Sequence, residues 1–202
     1  MPTILAINGS YRDDGVTDQL ISRAEQLLQR GGATVEVIQL RDYSIEFCLN
    51  CRECTQLPGD RPGQCVHNDG MQNLIEKIEA ADSLILACPT NVGTVTALFK
   101  RFMERLTVYA YWPWGEPAPV LRKTQKPTKR LLVISSCAAP AWMGRWLFKT
   151  LSQLRRIGTI VGAKVVGSMM VGFAATAPHQ QLPEDILVKV EKEARKLLPA
   201  SK

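Results

Sequence analysis

The strongest constraint on the fold of this chain is an alternation. Short apolar runs rich in β-branched residues are separated by longer segments whose apolar residues recur with the helical period. Five runs read as strands: 3–8 (TILAIN), 34–40 (TVEVIQL), 83–88 (SLILAC), 130–135 (RLLVIS) and 164–171 (KVVGSMMV). They are apolar on both faces, as strands of a parallel sheet covered by helices on each side must be. The covering helices are predicted over 17–30, 71–80, 94–109, 144–161 and 183–198. The fold class that follows is α/β, a three-layer sandwich around a five-stranded parallel sheet, and 202 residues suit one domain spanning 1–202.

Several helix ends carry their own signals. Gly31 and Gly32 follow the first helix with residues that tolerate φ > 0, and Asp69 precedes the second as an N-cap. Pro183 suits the first turn of the last helix, and Glu184 and Asp185 suit its positive end. Two stretches break the alternation: a cysteine-rich excursion at 47–69 and a Trp/Pro-rich one at 109–128. Long excursions from a compact sheet are often functional.

Charge and cysteine usage narrow the class. The start MPTILAING lacks a basic region followed by an apolar stretch and cleavage site, so no secretory signal is expected. No apolar run approaches the roughly 20 residues of a membrane span. Six cysteines in such a chain point to a reducing compartment, by default the cytoplasm. The net charge of +6 is scattered over helices and one linker, which fits an anionic cofactor or substrate better than nucleic acid.

The first strand runs into NGSYRDDGVTDQL, where Ser10, Arg12, Gly15, Thr17 and Asp18 lie between a buried strand and a helix start. Backbone N–H groups at a helix N-terminus, joined by hydroxyls and a cation, form a phosphate site. Neither GxGxxG nor GxxxxGK is present, so the loop is not that of a dinucleotide fold or a nucleotide triphosphatase. The third strand ends in CPTNVGT, placing Pro89, Thr90, Asn91, Val92 and Gly93 at a second polar loop. In a sheet of order 2-1-3-4-5 these two loops flank the switch point where ligands bind. A third loop, SSCAAPAWMG, brings Ser135 and Ser136 to the same edge.

The excursion FCLNCRECTQLPGDRPGQC sets Cys48, Cys51 and Cys54 at CxxCxxC spacing, with Cys65 after a gap of ten residues. Three soft thiolates at this spacing can wrap one face of a metal centre, and a fourth closes the shell. An iron–sulfur cluster, a zinc ion and free thiols in a structured loop all satisfy the pattern, with disulfides the weakest option. The long last gap costs little, because loop closure grows only as the logarithm of length.

Taken together, NGSYRDDGVTDQL, CLNCREC with its later Cys and NDGM, ADSLILACPTNVGTVTALFKRFMERL and GAKVVGSMMVG resemble the NADPH-dependent FMN reductase and iron–sulfur flavoprotein group of the flavodoxin-like superfamily. The resemblance implies a flavodoxin-like sandwich that binds FMN. Ser10, Arg12 and Thr17 would hold its phosphate, and Pro89 to Gly93 would line the ribityl chain and ring. It also implies a 4Fe-4S cluster on the four cysteines, NAD(P)H as cosubstrate, reduction of a flavin, quinone or similar acceptor, and a homodimer or homotetramer. The rival reading is a non-enzymatic carrier exchanging single electrons with a ferredoxin-like partner.

Other residues have plainer readings. His67 and His179 read as solvated loop residues, and Cys137 as a small packing residue. The cations of FKRFMER and SQLRRIG read as solvated helix faces, and Trp112 and Trp114 as a flavin cover, a subunit contact or core. No nucleophilic triad or carboxylate pair is present, so no catalytic side chain is named: the cofactor would carry the chemistry.

Overall fold

The computed structural model describes residues 1–123, 127–174 and 176–199. In chain order the elements are β1 (Thr3–Asn8), α1 (Val16–Arg30), β2 (Thr34–Gln39), α2 (Gly70–Ala80), β3 (Ser83–Pro89) and α3 (Ala97–Arg105). There follow β4 (Ala110–Tyr111), β5 (Val120–Leu121), β6 (Lys129–Ser136), α4 (Ala141–Leu147), α5 (Thr150–Ile160), β7 (Ala163–Val171) and α6 (Glu184–Ala194). Five strands form a parallel sheet of order β2-β1-β3-β6-β7, which is the predicted 2-1-3-4-5 order, with β6 and β7 its fourth and fifth strands.

Strand side chains alternate between two apolar layers. Leu5, Ile7, Leu84, Leu86, Leu131 and Val133 face a core with α2, α3 and α5, while Ile4, Ala6, Ile85, Ala87, Leu132 and Ile134 face one with α1 and α6. Fully burying a side chain of the larger of these types contributes about 1.5–3 kcal/mol, so the two layers fix the register of every central strand. The register in turn brings the carboxyl ends of β1, β3 and β6 to one edge, with Asn8 beside Ala87 and Pro89 beside Ser136.

Helix ends follow local chemistry. Asp69 caps α2 by accepting from Met71 N at 3.0 Å, and Gly32 takes φ +82° after α1. Two predicted helices are corrected. The predicted 94–109 helix is regular only from Ala97 to Arg105, because Thr94 pairs back with Asn91 and Thr96 is the N-cap, its hydroxyl accepting from Phe99 N at 3.1 Å. The predicted 144–161 helix is two helices: Phe148 is extended, and Lys149 N donates to Gly93 O at 2.8 Å.

The two excursions pack on each other. β4 and β5 form a small antiparallel ribbon from the second excursion, of which residues 124–126 lie outside the described residues. Arg52 stacks over the rings of Trp112 and Trp114 at 3.7 and 4.4 Å and donates to the Trp112 carbonyl at 2.7 Å. Trp112 N donates to Thr55 O at 2.9 Å. The Trp/Pro stretch therefore clamps the cysteine loop. No helix among the described residues is long and apolar enough to cross a membrane.

Candidate functional site

At the carboxyl edge of the sheet, the β1–α1, β3–α3 and β6–α4 connections enclose a cavity of about 730 Å³. Its first wall is built from one buried amide. Asn8 has no exposed surface; its Oδ1 accepts from Ser10 N at 2.9 Å and its Nδ2 donates to Asp18. Asp18 also accepts from Gly15 N at 3.2 Å. Ser10 Oγ accepts from Arg12 N at 3.2 Å, and Arg41 braces the outside of the loop through the Arg12 carbonyl and Asp13. Gly15, the N-cap of α1, has no side chain to spend on the first-turn N–H groups of that helix. Those amides open towards the cavity with Ser10 and Thr17 beside them.

The second wall is tied to β6 and α5. Thr90 N donates to Ser136 O at 2.7 Å, and the Thr90 hydroxyl pairs with those of Ser135 and Thr150 at 3.2 and 2.8 Å. Thr96 Oγ1 donates to Gly9 O at 2.8 Å and joins the two walls. Val92 is fully exposed with φ +48°, an uncommon conformation for a β-branched residue that costs of order 1–3 kcal/mol.

The structure brings Ser10, Arg12, Gly15 and Thr17 from the first loop together with Pro89, Thr90, Asn91 and Ser136. Four predicted residues do not line the cavity. Asp18 is turned back to brace Asn8 and Gly15, Ser135 is wholly buried beneath Thr90, and Val92 and Gly93 form the outer turn, where Gly93 O holds Lys149.

Other lining residues escaped the sequence. Phe47 reaches the cavity from the cysteine excursion, and Arg101 from α3. Arg101 lies 5.7 Å from the Phe47 ring, and its Nε is shielded from water with no acceptor among the described residues. Arg101 therefore corrects the solvated-face reading of FKRFMER, as does the buried Arg105; Lys100, paired with Glu104 at 2.7 Å, fits it. The helical period that makes Phe99 and Phe102 core also turns Arg101 towards the cavity wall, a signal visible only once the position of α3 is known. Cys137 is buried and also lines the cavity floor; burial pushes its thiol up.

The cysteine loop begins where Phe47 leaves the cavity. Asn50 and Arg52 take φ +54° and +63°, left-handed turns that reverse the chain between successive cysteines. All four thiols are half-buried and free of disulfides. Burial, followed by the thiols of Cys65, Cys48 and Cys51, pushes the Cys54 thiol up to about 11. Cys54 thus lies within electrostatic reach of the other three thiols. Yet among the described residues no three His, Cys, Asp or Glu side chains converge as ligands of a single ion. A zinc tetrahedron with bonds of about 2.3 Å would hold its sulfurs about 3.8 Å apart. His67 is not simply solvated: Nε2 lies 3.1 Å from Phe47 O and closes the base of the loop.

Comparison with known proteins follows this geometry. The family model for NADPH-dependent FMN reductase matches residues 2–177. An iron-sulfur flavoprotein of Archaeoglobus fulgidus is 31% identical over 109 residues, 54% of this chain and 47% of the relative. An iron-sulfur flavoprotein of Methanocaldococcus jannaschii is 30% identical over 102 residues, 50% of each chain. The matched segments thus span about half the length of these curated relatives. Among solved structures, an NAD(P)H:quinone oxidoreductase from Methanothermobacter marburgensis superposes with a TM-score of 0.69 at 16% identity, covering 98% of this chain and 99% of that one. The fold shared with such structures is flavodoxin-like.

Proposed function

The chain belongs to the NADPH-dependent FMN reductase family, and from that premise we propose that its cavity holds FMN and that the protein passes electrons from NAD(P)H to a flavin, quinone or similar small acceptor. One observation carries the assignment. The uncapped N-terminus of α1, with Ser10, Arg12 and Thr17, meets the Pro89–Asn91 loop at the switch point of the sheet. The first group suits a phosphate and the second a flat ring lying against backbone.

Bound FMN supplies the hydride-accepting chemistry. The chain's own residues bind and orient. Ser10, Thr17 and the first-turn amides of α1 take the phosphate, and Arg12 at the exposed mouth adds its charge. Arg101 keeps a cation inside the cavity, suited to negative charge that builds on a reduced ring or on an anionic cosubstrate. Phe47 and Leu98 add apolar surface to the same space.

Cys48, Cys51, Cys54 and Cys65 are assigned to a 4Fe-4S cluster. This reading rests on the CxxCxxC spacing, with left-handed turns at Asn50 and Arg52, and on two curated relatives named iron-sulfur flavoproteins; among the described residues the thiols do not converge as a ready-made ligand set. With Phe47 in the cavity wall and Cys48 next in sequence, the thiols suit single-electron exchange with the flavin.

The assembly is a homodimer or homotetramer. Its contact is assigned to α4, where Trp142 and Trp146 are 69% and 88% exposed. The Trp112–Trp114 stretch is the weaker candidate, since Arg52 occupies those rings.

The test is the visible spectrum of anaerobically purified protein, with iron quantified, before and after mixing with NADPH or NADH. Flavin bands that bleach rapidly support the reductase. A colourless protein that takes up no FMN sinks the whole assignment. Bleaching only by a ferredoxin-like donor would make it an electron carrier instead.

A further inference from the structure

The cavity is charged in one sense only. Arg12 and Arg101 line it, and among the described residues no Asp or Glu does. The two cations reach it from opposite layers of the sandwich, because α1 packs on one face of the sheet and α3 on the other. Arg12 runs along the N-cap of α1, where a Cβ on Gly15 would lie 3.3 Å from Arg12 Cδ. It therefore serves the phosphate end. Arg101 is left over.

The surroundings of Arg101 suit a second molecule rather than a contact within the fold. Its neighbours on α3 are paired, Lys100 with Glu104 at 2.7 Å and Arg105 with Asp69 at 2.6 Å. Among the described residues no carboxylate pairs with Arg101, and its Nε is shielded from water without an acceptor. The terminal nitrogens are the donors left for a ligand. Phe47, 68% exposed, lines the same cavity with its ring 5.7 Å away. A guanidinium is a planar fork that matches a carboxylate, and the ring beside it offers a face to a flat molecule. The net charge of +6 draws anions to such a cleft.

We propose that Arg101 and Phe47 form the acceptor subsite and select a planar aromatic acid, its carboxylate on the Arg101 fork and its ring against Phe47. This rests on the FMN reading above, which gives the α1 side of the cavity to the cofactor. Arg101 sets which acceptor is held, and Phe47 adds affinity for any flat ring.

The test is equilibrium binding to the full chain, oxidised, incubated with excess FMN and without reductant, so that affinity is read apart from turnover. The probes are anthraquinone-2-carboxylate and the uncharged 2-(hydroxymethyl)anthraquinone, which share a ring system and differ in charge. The wild type should hold the acid about tenfold more tightly, and less so as salt rises. Arg101→Gln should bring that ratio close to one, and Arg101→Lys should keep part of it. Phe47→Ala should weaken both probes alike and leave the ratio in place. Should Arg101→Gln fail to fold, the Arg101→Lys ratio and the salt dependence of the wild type decide.

Equal affinity for the two probes in the wild type, or a preference that survives Arg101→Gln, overturns the subsite. Loss of FMN affinity in Arg101→Gln with the preference intact assigns Arg101 to the cofactor phosphate and also overturns it. An Arg101-dependent preference for adenosine 2′-phosphate over adenosine, without one between the quinones, gives the site to the nicotinamide cosubstrate and overturns the acceptor assignment. A wild type that takes up no FMN yet shows the Arg101-dependent preference overturns the cofactor reading and leaves the subsite standing.

Discussion

Asn8 Oδ1 accepts the Ser10 amide at 2.9 Å while the same side chain donates to Asp18, so one buried residue at the end of β1 shapes the whole turn into α1. Asn8→Ala would orphan the Ser10 N–H and remove one of the two donors to Asp18. A buried group left unsatisfied costs about 1–3 kcal/mol, so FMN affinity should weaken roughly 5- to 150-fold. Flavin fluorescence titration measures it. Wild-type affinity would mean that the turn is held by other means.

Gly63 packs against the backbone of Cys54. A Cβ there would lie 1.8 Å from the Cys54 carbonyl oxygen, while Gly63 N is already committed to Val108 O at 2.8 Å. Neither backbone can yield cheaply. Gly63→Ala should destabilise the excursion by about 1–3 kcal/mol and lower iron retention without lowering flavin retention. Equal loss of both groups would show that the loop and the cavity fold as one unit.

Asp69 gives the acid limb of stability. Burial raises its pKa, but hydrogen bonds from Arg105, Glu46 N and Met71 N outweigh that and hold the carboxyl below its usual range. A depressed carboxyl contributes stability that is complete above its unfolded pKa of about 3.9 and is lost as pH falls through the lower folded value. Urea midpoints of the wild type should therefore drop below about pH 4. Asp69→Asn should lose about 3 kcal/mol at neutral pH, the cost of breaking a buried pair, and show a shallower acid slope. An unchanged slope would place the acid sensitivity elsewhere.

Trp142 and Trp146 lie exposed together on α4. Replacing both with Ala should reduce the particle towards the 22.4 kDa chain mass in size-exclusion with light scattering. Replacing Trp112 and Trp114 should leave the mass unchanged while loosening the cysteine loop, because Arg52 loses both stacking faces. An unaltered mass in the α4 variant would count against that contact.

The sequence determined the sheet, its strand order and the edge where the loops meet, because apolar period and β-branching act locally and parallel crossovers leave few topologies. It also determined half of the cavity wall: Ser10, Arg12, Thr17 and Thr90 follow strands that the pattern locates. Asp18 and Ser135 were legible as polar residues in the right loops, but their hydrogen-bond partners turned them inward. Phe47, Arg101 and Arg105 only the tertiary structure could decide. Each owes its role to residues distant in sequence: Phe47 to Arg101 across the cavity, and Arg105 to Asp69 and Cys65. A charge in an amphipathic helix reads as solvated until the surface packed against it is known. For Arg105 that surface is the cysteine loop.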